Sequence, residues 1–355
     1  MKRFKMVKIK FKKELIKIYI VKIIFAAMKF KMDIEFGNLK RGGMVLLLIF
    51  LALFLPSEVS YSYYNHVSLK SKTRFLPPGY IDFATDSIPS IEIDAKYAQE
   101  GLMYDQAENK VIWVKGLNNK HDIASLSKMM TVLLVIESIN EGKYGWDSLI
   151  RVPKEATEVG GSSVYLKEGE NFPVRDLVKA AMIASGNDAA YTLAFITAGS
   201  EKQFVKIMNW KAATLGMDST YFSNATGMPA YRGEKDNYST PHDLLFLANE
   251  LLKHKEVLQY TAECEDCINH GADKYPFKNH NSLVIHYKKD VDGLKTGFTK
   301  NAGFCLVATA NRAEHRIISI VLGVPSSSTR DNMVADMMSN YYSSIGLGKL
   351  GEPLK

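Results

Sequence analysis

Two apolar runs late in the chain constrain the fold more than any other feature. GFCLVATA (303–310) and HRIISIVLGV (315–324) are rich in branched side chains and separated by a short polar turn, which is the signature of a β-hairpin. They follow a long stretch with helical period. Residues 124–141 place Leu126, Met129, Met130, Leu133, Leu134 and Ile136 at helical spacing, and Gly142 ends the run. Pro173 opens a second helical stretch and Asp188 a third. Residues 201–215 and 241–253 read as two more, the last with Thr240 as N-cap and Pro241 in its first turn. Ahead of this block, IEIDAKYAQ (91–99) and KVIWV (110–114) alternate like strands, and a final helix is predicted from Ser328 to Tyr342. Strands at both ends of a helical block predict an α+β fold, with a helical subdomain packed beside an antiparallel β-sheet flanked by helices.

Charge excludes one class of partner. The 355 residues carry 45 Lys+Arg and 38 Asp+Glu, a net +7. Thirteen of the basic and three of the acidic residues lie in positions 1–43, which leaves 32 basic and 35 acidic residues in the rest. The body is close to neutral and has no electrostatic footprint for nucleic acid. After this basic leader come VLLLIFLALFL (45–55), Pro56 and the small residues Ser60 and Ser62. Eleven helical residues rise only about 17 Å, short of a hydrocarbon core of about 30 Å. Residues 44–62 therefore read as a secretory signal, with a retained N-terminal membrane tether as the alternative. The simplest account of residues 1–43 is translation starting at Met32 or Met44. Residues 63–90 read as a linker, 91–345 as the main folded domain and 346–355 as a tail with no further β domain.

Three short motifs carry chemistry. Ser125-Leu126-Ser127-Lys128 opens the first helix, where positions i and i+3 share a face. A serine hydroxyl becomes nucleophilic once a base takes its proton, and a lysine of lowered pKa can be that base. Ser185-Gly186-Asn187 sits between two helices, where a hydroxyl and an amide can face a cleft. Lys295-Thr296-Gly297 precedes the hairpin. Its cation and hydroxyl suit a carboxylate, and its glycine lets a ligand lie against the backbone. Each tripeptide alone fits an ordinary turn or helix start. A competing Ser138-Ile139-Asn140 lies about 20 Å from Ser125 along one helix, too far to join it.

Taken together, S-x-x-K, S-x-N and K-T-G in this order match the set of the penicillin-recognising serine enzymes. With IASLSKMMT, GGSSVYLKEGE, TYFSNATGM and VDGLKTGFTKNAGFCLVATA around them, the chain from about Ile91 to Ser344 closely resembles the low-molecular-mass D-alanyl-D-alanine carboxypeptidases of peptidase family S11. The resemblance implies a serine β-lactamase/DD-peptidase-like fold. It also implies Ser125 as acylated nucleophile, Lys128 as general base, Ser185 as proton relay and Asn187 as the amide holding the substrate backbone. Lys295 and Thr296, beside Gly297, would bind the terminal carboxylate, and the N–H groups of Ser125 and Phe298 would form the oxyanion hole. The implied substrate is a peptidoglycan stem peptide ending in D-Ala-D-Ala, with β-lactams as covalent inhibitors and no metal or organic cofactor. Lys128 should be neutral and Lys295 should stay protonated. Two departures from the family pattern are Ile123, where proline is usual, and Ser127, where threonine is frequent.

A class A β-lactamase would carry S-D-N and a deacylating glutamate, whereas Gly186 stands at the middle position and no E-x-x-L-N segment lies between Ser125 and Lys295. A penicillin binder without turnover is the other alternative. Cys264-Glu265-Asp266-Cys267 with His270 reads as a loop, before a local disulfide or a zinc site. Cys305 falls on the buried side of a strand, and His242 has no assigned role.

Overall fold

Residues of the helical block and of the hairpin bury two apolar clusters on opposite faces of one antiparallel sheet. The computed structural model describes residues 94–230, 234–271 and 273–354. The chain divides into two units, Met1–Tyr80 and Ile81–Lys355, and the described residues belong to the second. The leader, the signal or tether, and the linker lie outside them. In chain order the strands are β1 (Glu100–Asp105), β2 (Lys110–Lys115), β3 (His121–Asp122), β4 (Leu149–Arg151), β5 (Asn171–Pro173), β6 (Tyr238–Ser239), β7 (Glu265–His270), β8 (Asp273–Lys278), β9 (Val291–Thr299), β10 (Gly303–Arg312) and β11 (His315–Val324). The α-helices are α1 (Lys128–Asn140), α2 (Val174–Met182), α3 (Asn187–Ala198), α4 (Glu201–Thr214), α5 (Pro241–Leu251), α6 (Lys255–Thr261), α7 (Ser282–His286) and α8 (Ser327–Ser344).

The main sheet has the order β2-β1-β11-β10-β9, every pair antiparallel. Strand alternation divides its side chains. Leu102, Tyr104, Ile318, Ile320 and Leu322 join the cluster of the helical block, with Leu133 and Val135 of α1 and Leu244 and Leu247 of α5. Met103, Ile317 and Val321 join the other cluster, with Met333, Val334, Met337 and Met338 of α8. Because both faces are covered, β11 reads as a continuous apolar run. Strand β9 ends the sheet, so one row of its backbone groups is not used by a neighbouring strand.

The predicted hairpin and all five helices of the block are present. Three expectations are corrected. Among the described residues, Asp94–Gln99 is a turn, with Ala98 N–H donating to Ala95 O at 3.2 Å. The first strand is Glu100–Asp105, whose Leu102, Met103 and Tyr104 are all buried and so do not alternate. Residues 124–127 form a 3-10 turn ahead of α1 rather than its first α-turn. The segment around Cys264 and Cys267 is not a loop but leads into the β7–β8 hairpin. Cys267 stands opposite Pro276, a residue that argues against a strand when read in sequence. Both thiols are free, and Cys305 is fully buried as expected. Residues 346–354 are held against the domain. The buried Arg312 guanidinium donates to the carbonyls of Leu347 and Glu352 and pairs with Asp290 at 2.5 Å.

Candidate active site

Ser125 owes its position to the 3-10 turn. In this tighter helix positions i and i+3 eclipse, so the Lys128 side chain comes back directly under Ser125. Two glycines allow other segments to press on the turn. A Cβ on Gly227, whose φ is +81°, would lie 1.9 Å from the Ala124 carbonyl oxygen. A Cβ on Gly297 would lie 2.8 Å from the Ile123 carbonyl oxygen and 3.3 Å from the Leu126 amide nitrogen. The Gly227 loop and strand β9 therefore flank the turn at backbone contact.

Lys128 is fully buried. Its Nζ lies 2.9 Å from Ser125 Oγ, 2.7 Å from Asn187 Oδ1 and 2.6 Å from Thr226 O. The last two can only accept, and they take two N–H groups. In a neutral amine the remaining lone pair is left to accept the Ser125 hydroxyl proton. Burial, and then the charge of Lys295, push the Lys128 ammonium well below the ordinary lysine range, against a smaller opposing pull from Asp188. Electrostatics thus favours the neutral amine, a state that the three contacts accommodate.

Asn187 opens α3 and holds the same cluster from the other side. Its Nδ2 donates to Gly160 O at 2.8 Å and its N–H to Ser162 O at 2.7 Å. The next residue, Asp188, accepts from Ser163 Oγ at 2.5 Å and from the amides of Val164 and Leu166. The segment 160–166 is fastened around Asn187 in this way. His270 of β7 fastens it further, with Nδ1 2.9 Å from Glu170 Oε2 and Nε2 3.1 Å from Val164 O. Ser185 is buried and has a left-handed φ of +58°, which marks a backbone strained at the turn between α2 and α3.

Lys295 and Thr296 lie on the edge strand and are both buried. Among the described residues Lys295 Nζ has one hydrogen-bond partner, the Thr296 carbonyl at 3.1 Å. Burial, and then the Arg330 guanidinium, lower Lys295 to about 7. The expectation that Lys295 stays protonated rests on a carboxylate to bind; without one, a fully desolvated ammonium with one neutral partner beside a second cation gains little from being charged. Phe298 is 56% exposed and stacks on Phe304 with ring centroids 4.2 Å apart.

The structure therefore gathers Ser125, Lys128 and Asn187 at hydrogen-bond distance, with Ser185 two residues from Asn187 and Lys295 near enough for its charge to act on Lys128. Ser127 faces elsewhere. Its Oγ donates to Ala124 O at 2.7 Å and accepts from Asn237 Nδ2 at 2.6 Å. Sequence reasoning missed three contributors. Thr226 acts through its carbonyl, which no side-chain motif reveals. Asp188 looks like a helix cap. Arg330 is buried near the N-terminal end of α8, where the helix dipole disfavours a cation. That local conflict was a readable signal.

The family model of the D-alanyl-D-alanine carboxypeptidases, peptidase S11, matches residues 85–326. The chain belongs to this family. It is 34% identical over 249 residues to D-alanyl-D-alanine carboxypeptidase DacF of Bacillus subtilis, a match covering 70% of this chain and 63% of the relative. It is 34% identical over 264 residues to DacC of Escherichia coli, covering 73% of this chain and 63% of the relative. The chain thus spans somewhat less than two thirds of these curated family members. Among solved structures, penicillin-binding protein D2 of Listeria monocytogenes in its ampicillin-bound form matches with TM-score 0.62 and 33% identity, over 69% of this chain and 97% of that one. The carboxypeptidase DacD of Francisella tularensis matches with TM-score 0.66 and 26% identity, over 75% and 76%. Membership in the family carries the DD-peptidase fold.

Gly227 supplies a test of the packing around the turn. Gly227→Ala puts a Cβ into the Ala124 carbonyl at a left-handed φ. Overpacking and backbone strain together cost roughly 2–4 kcal/mol. For a domain of this size that lowers Tm by about 5–15 °C, read by thermal unfolding. An unchanged Tm would mean that the loop does not bear on the turn.

Proposed function

We propose that the chain is a serine-type D-Ala-D-Ala carboxypeptidase that trims peptidoglycan stem peptides outside the cytoplasmic membrane and is acylated by penicillins. Lys295 and Thr296 bind the terminal carboxylate of the substrate beside Gly297. Lys128 takes the Ser125 proton, and Oγ attacks the penultimate carbonyl. The N–H groups of Ser125 and Phe298 receive the oxyanion, and Asn187 holds the substrate backbone. The C–N bond breaks, Ser185 relays a proton to the departing amine, and D-Ala leaves. Water then hydrolyses the ester and restores Ser125. The observation that carries this reading is the hydrogen bonding of Lys128, whose two acceptor partners leave its lone pair for Ser125. The family match and the ampicillin-bound relative support it.

The deciding experiment incubates the protein with a pentapeptide ending in D-Ala-D-Ala and assays free D-Ala, with fluorescent penicillin in a parallel sample. Release of D-Ala together with a stable label is expected. A label without D-Ala identifies a binder. Rapid loss of penicillin without D-Ala release identifies a β-lactamase.

A further inference from the structure

Asn237, the residue before β6, grips the nucleophile turn on both sides of Ser125. Its carbonyl accepts the Ile123 N–H at 3.0 Å, two residues before Ser125. Its Nδ2 donates to Ser127 Oγ at 2.6 Å, two residues after Ser125, and that hydroxyl donates in turn to Ala124 O at 2.7 Å. Ala124 has a left-handed φ of +46°, a conformation that an alanine keeps only under constraint. The link from Asn237 through Ser127 therefore ends on a strained residue immediately before the nucleophile.

The same side chain braces the loop that orients the base. Asn237 Oδ1 accepts from Ser223 N at 2.7 Å, Ser223 Oγ at 2.8 Å and Asn224 N at 3.1 Å, and Nδ2 also donates to Asn224 O at 2.9 Å. Asn224 Oδ1 accepts the N–H groups of Thr226 at 3.2 Å and Gly227 at 2.7 Å. This loop places Thr226 O at 2.6 Å from Lys128 Nζ. Asn237 is 2% exposed, and its side-chain hydrogen bonds go to Ser127, Ser223 and Asn224 rather than to Ser125 or Lys128. One buried amide thus joins the turn that carries the hydroxyl to the loop that holds the amine.

We propose that Asn237 is a positioning residue for acylation, setting the spacing between Ser125 on its turn and Lys128 on the Thr226 carbonyl. Proton transfer from Ser125 to Lys128 depends on that spacing. Binding of a carboxylate by Lys295 and Thr296 on β9 does not, because Asn237 bonds neither residue. The proposal rests on the acylation reading above.

The test uses the full chain and fluorescent penicillin, with labelling resolved into the dissociation constant of the encounter complex and the first-order acylation rate. Asn237→Ala should lower the acylation rate about 100-fold, the effect of a misplacement of about 1 Å, and leave the dissociation constant within about twofold. Ser127→Ala removes one hydroxyl of the link and should lower the rate about tenfold, whereas Ser127→Thr keeps the hydroxyl and should recover most of it. In the Asn237→Ala background, Ser127→Ala should cost less than about twofold more, because the two residues act through one link. A residue that served stability alone would lower Tm and leave the acylation rate of the folded protein unchanged. An unchanged rate in Asn237→Ala, equal losses in rate and binding, or a full further loss in the double variant overturns the proposal. Should Asn237→Ala fail to fold, the Ser127 pair decides alone: a tenfold loss restored by threonine supports the proposal, and a rate unchanged in Ser127→Ala overturns it. No labelling of the unaltered protein would instead overturn the acylation reading itself.

Discussion

Ser125→Ala should abolish covalent labelling by penicillin and release of D-Ala while leaving the fold in place. The substitution removes one oxygen atom. The 3-10 turn that presents it is held by backbone packing from Gly227 and Gly297, which does not involve the hydroxyl. The hydroxyl is bonded to Lys128 Nζ, and without it Nζ still keeps Asn187 and Thr226. Loss of a nucleophile that works as a unit with its base costs on the order of 10⁴–10⁶ in rate. Ser127 cannot take over, because it is fully buried and its hydroxyl is engaged by Ala124 and Asn237. Mass spectrometry of the penicillin-treated variant decides the matter. An adduct still forming there would move the nucleophile to another residue.

The hairpin and the helical block are legible in the sequence because their patterns are local. Strands β10 and β11 are long, apolar and joined by a tight turn, and the helices carry caps and helical spacing. The first strand is misplaced by sequence reasoning because burial on both faces removes the alternation that marks a half-exposed strand. The β7–β8 hairpin escapes it because polar residues and Pro276 dominate that segment, and its register is set by packing against α2, including an ion pair between Lys179 and Asp266 at 2.9 Å. The side chains that the site gathers are legible from three motifs. What holds them is not. The Thr226 carbonyl lies 98 residues from Lys128, and its placement depends on Asn224 and Asn237 bracing a loop. Electrostatic effects are legible only in part. Burial and a neighbouring cation are foreseeable for Lys128, whereas the influence of Arg330 on Lys295 requires knowing that α8 packs behind the sheet.

The two lysines should give opposite results when each is replaced by arginine. A guanidinium keeps its proton at any working pH, so Lys128→Arg cannot accept from Ser125 and should lose nearly all acylation. It must also place a larger planar group where a fully buried amine makes three close hydrogen bonds. Lys295→Arg still offers a cation to a carboxylate and should retain part of the activity. The pH profile carries the sharper distinction. In the unaltered protein kcat/KM rises as Lys128 loses its proton, on a limb displaced well below the ordinary lysine range. It falls again on a limb near 7, where Lys295 of the free enzyme loses its own. In Lys295→Arg the acidic limb should remain and the alkaline limb should move up by several pH units, because the replacement does not titrate there. Stability runs the opposite way to the alkaline limb. The folded state binds fewer protons than the unfolded chain between about 7 and the ordinary lysine value of 10.5, so the contribution of Lys295 to stability improves as pH rises through that window. Acylation rates of both variants across pH make the comparison. If Lys128→Arg were the more active, or if the alkaline limb stayed near 7 in Lys295→Arg, the base and the carboxylate clamp would have to exchange places.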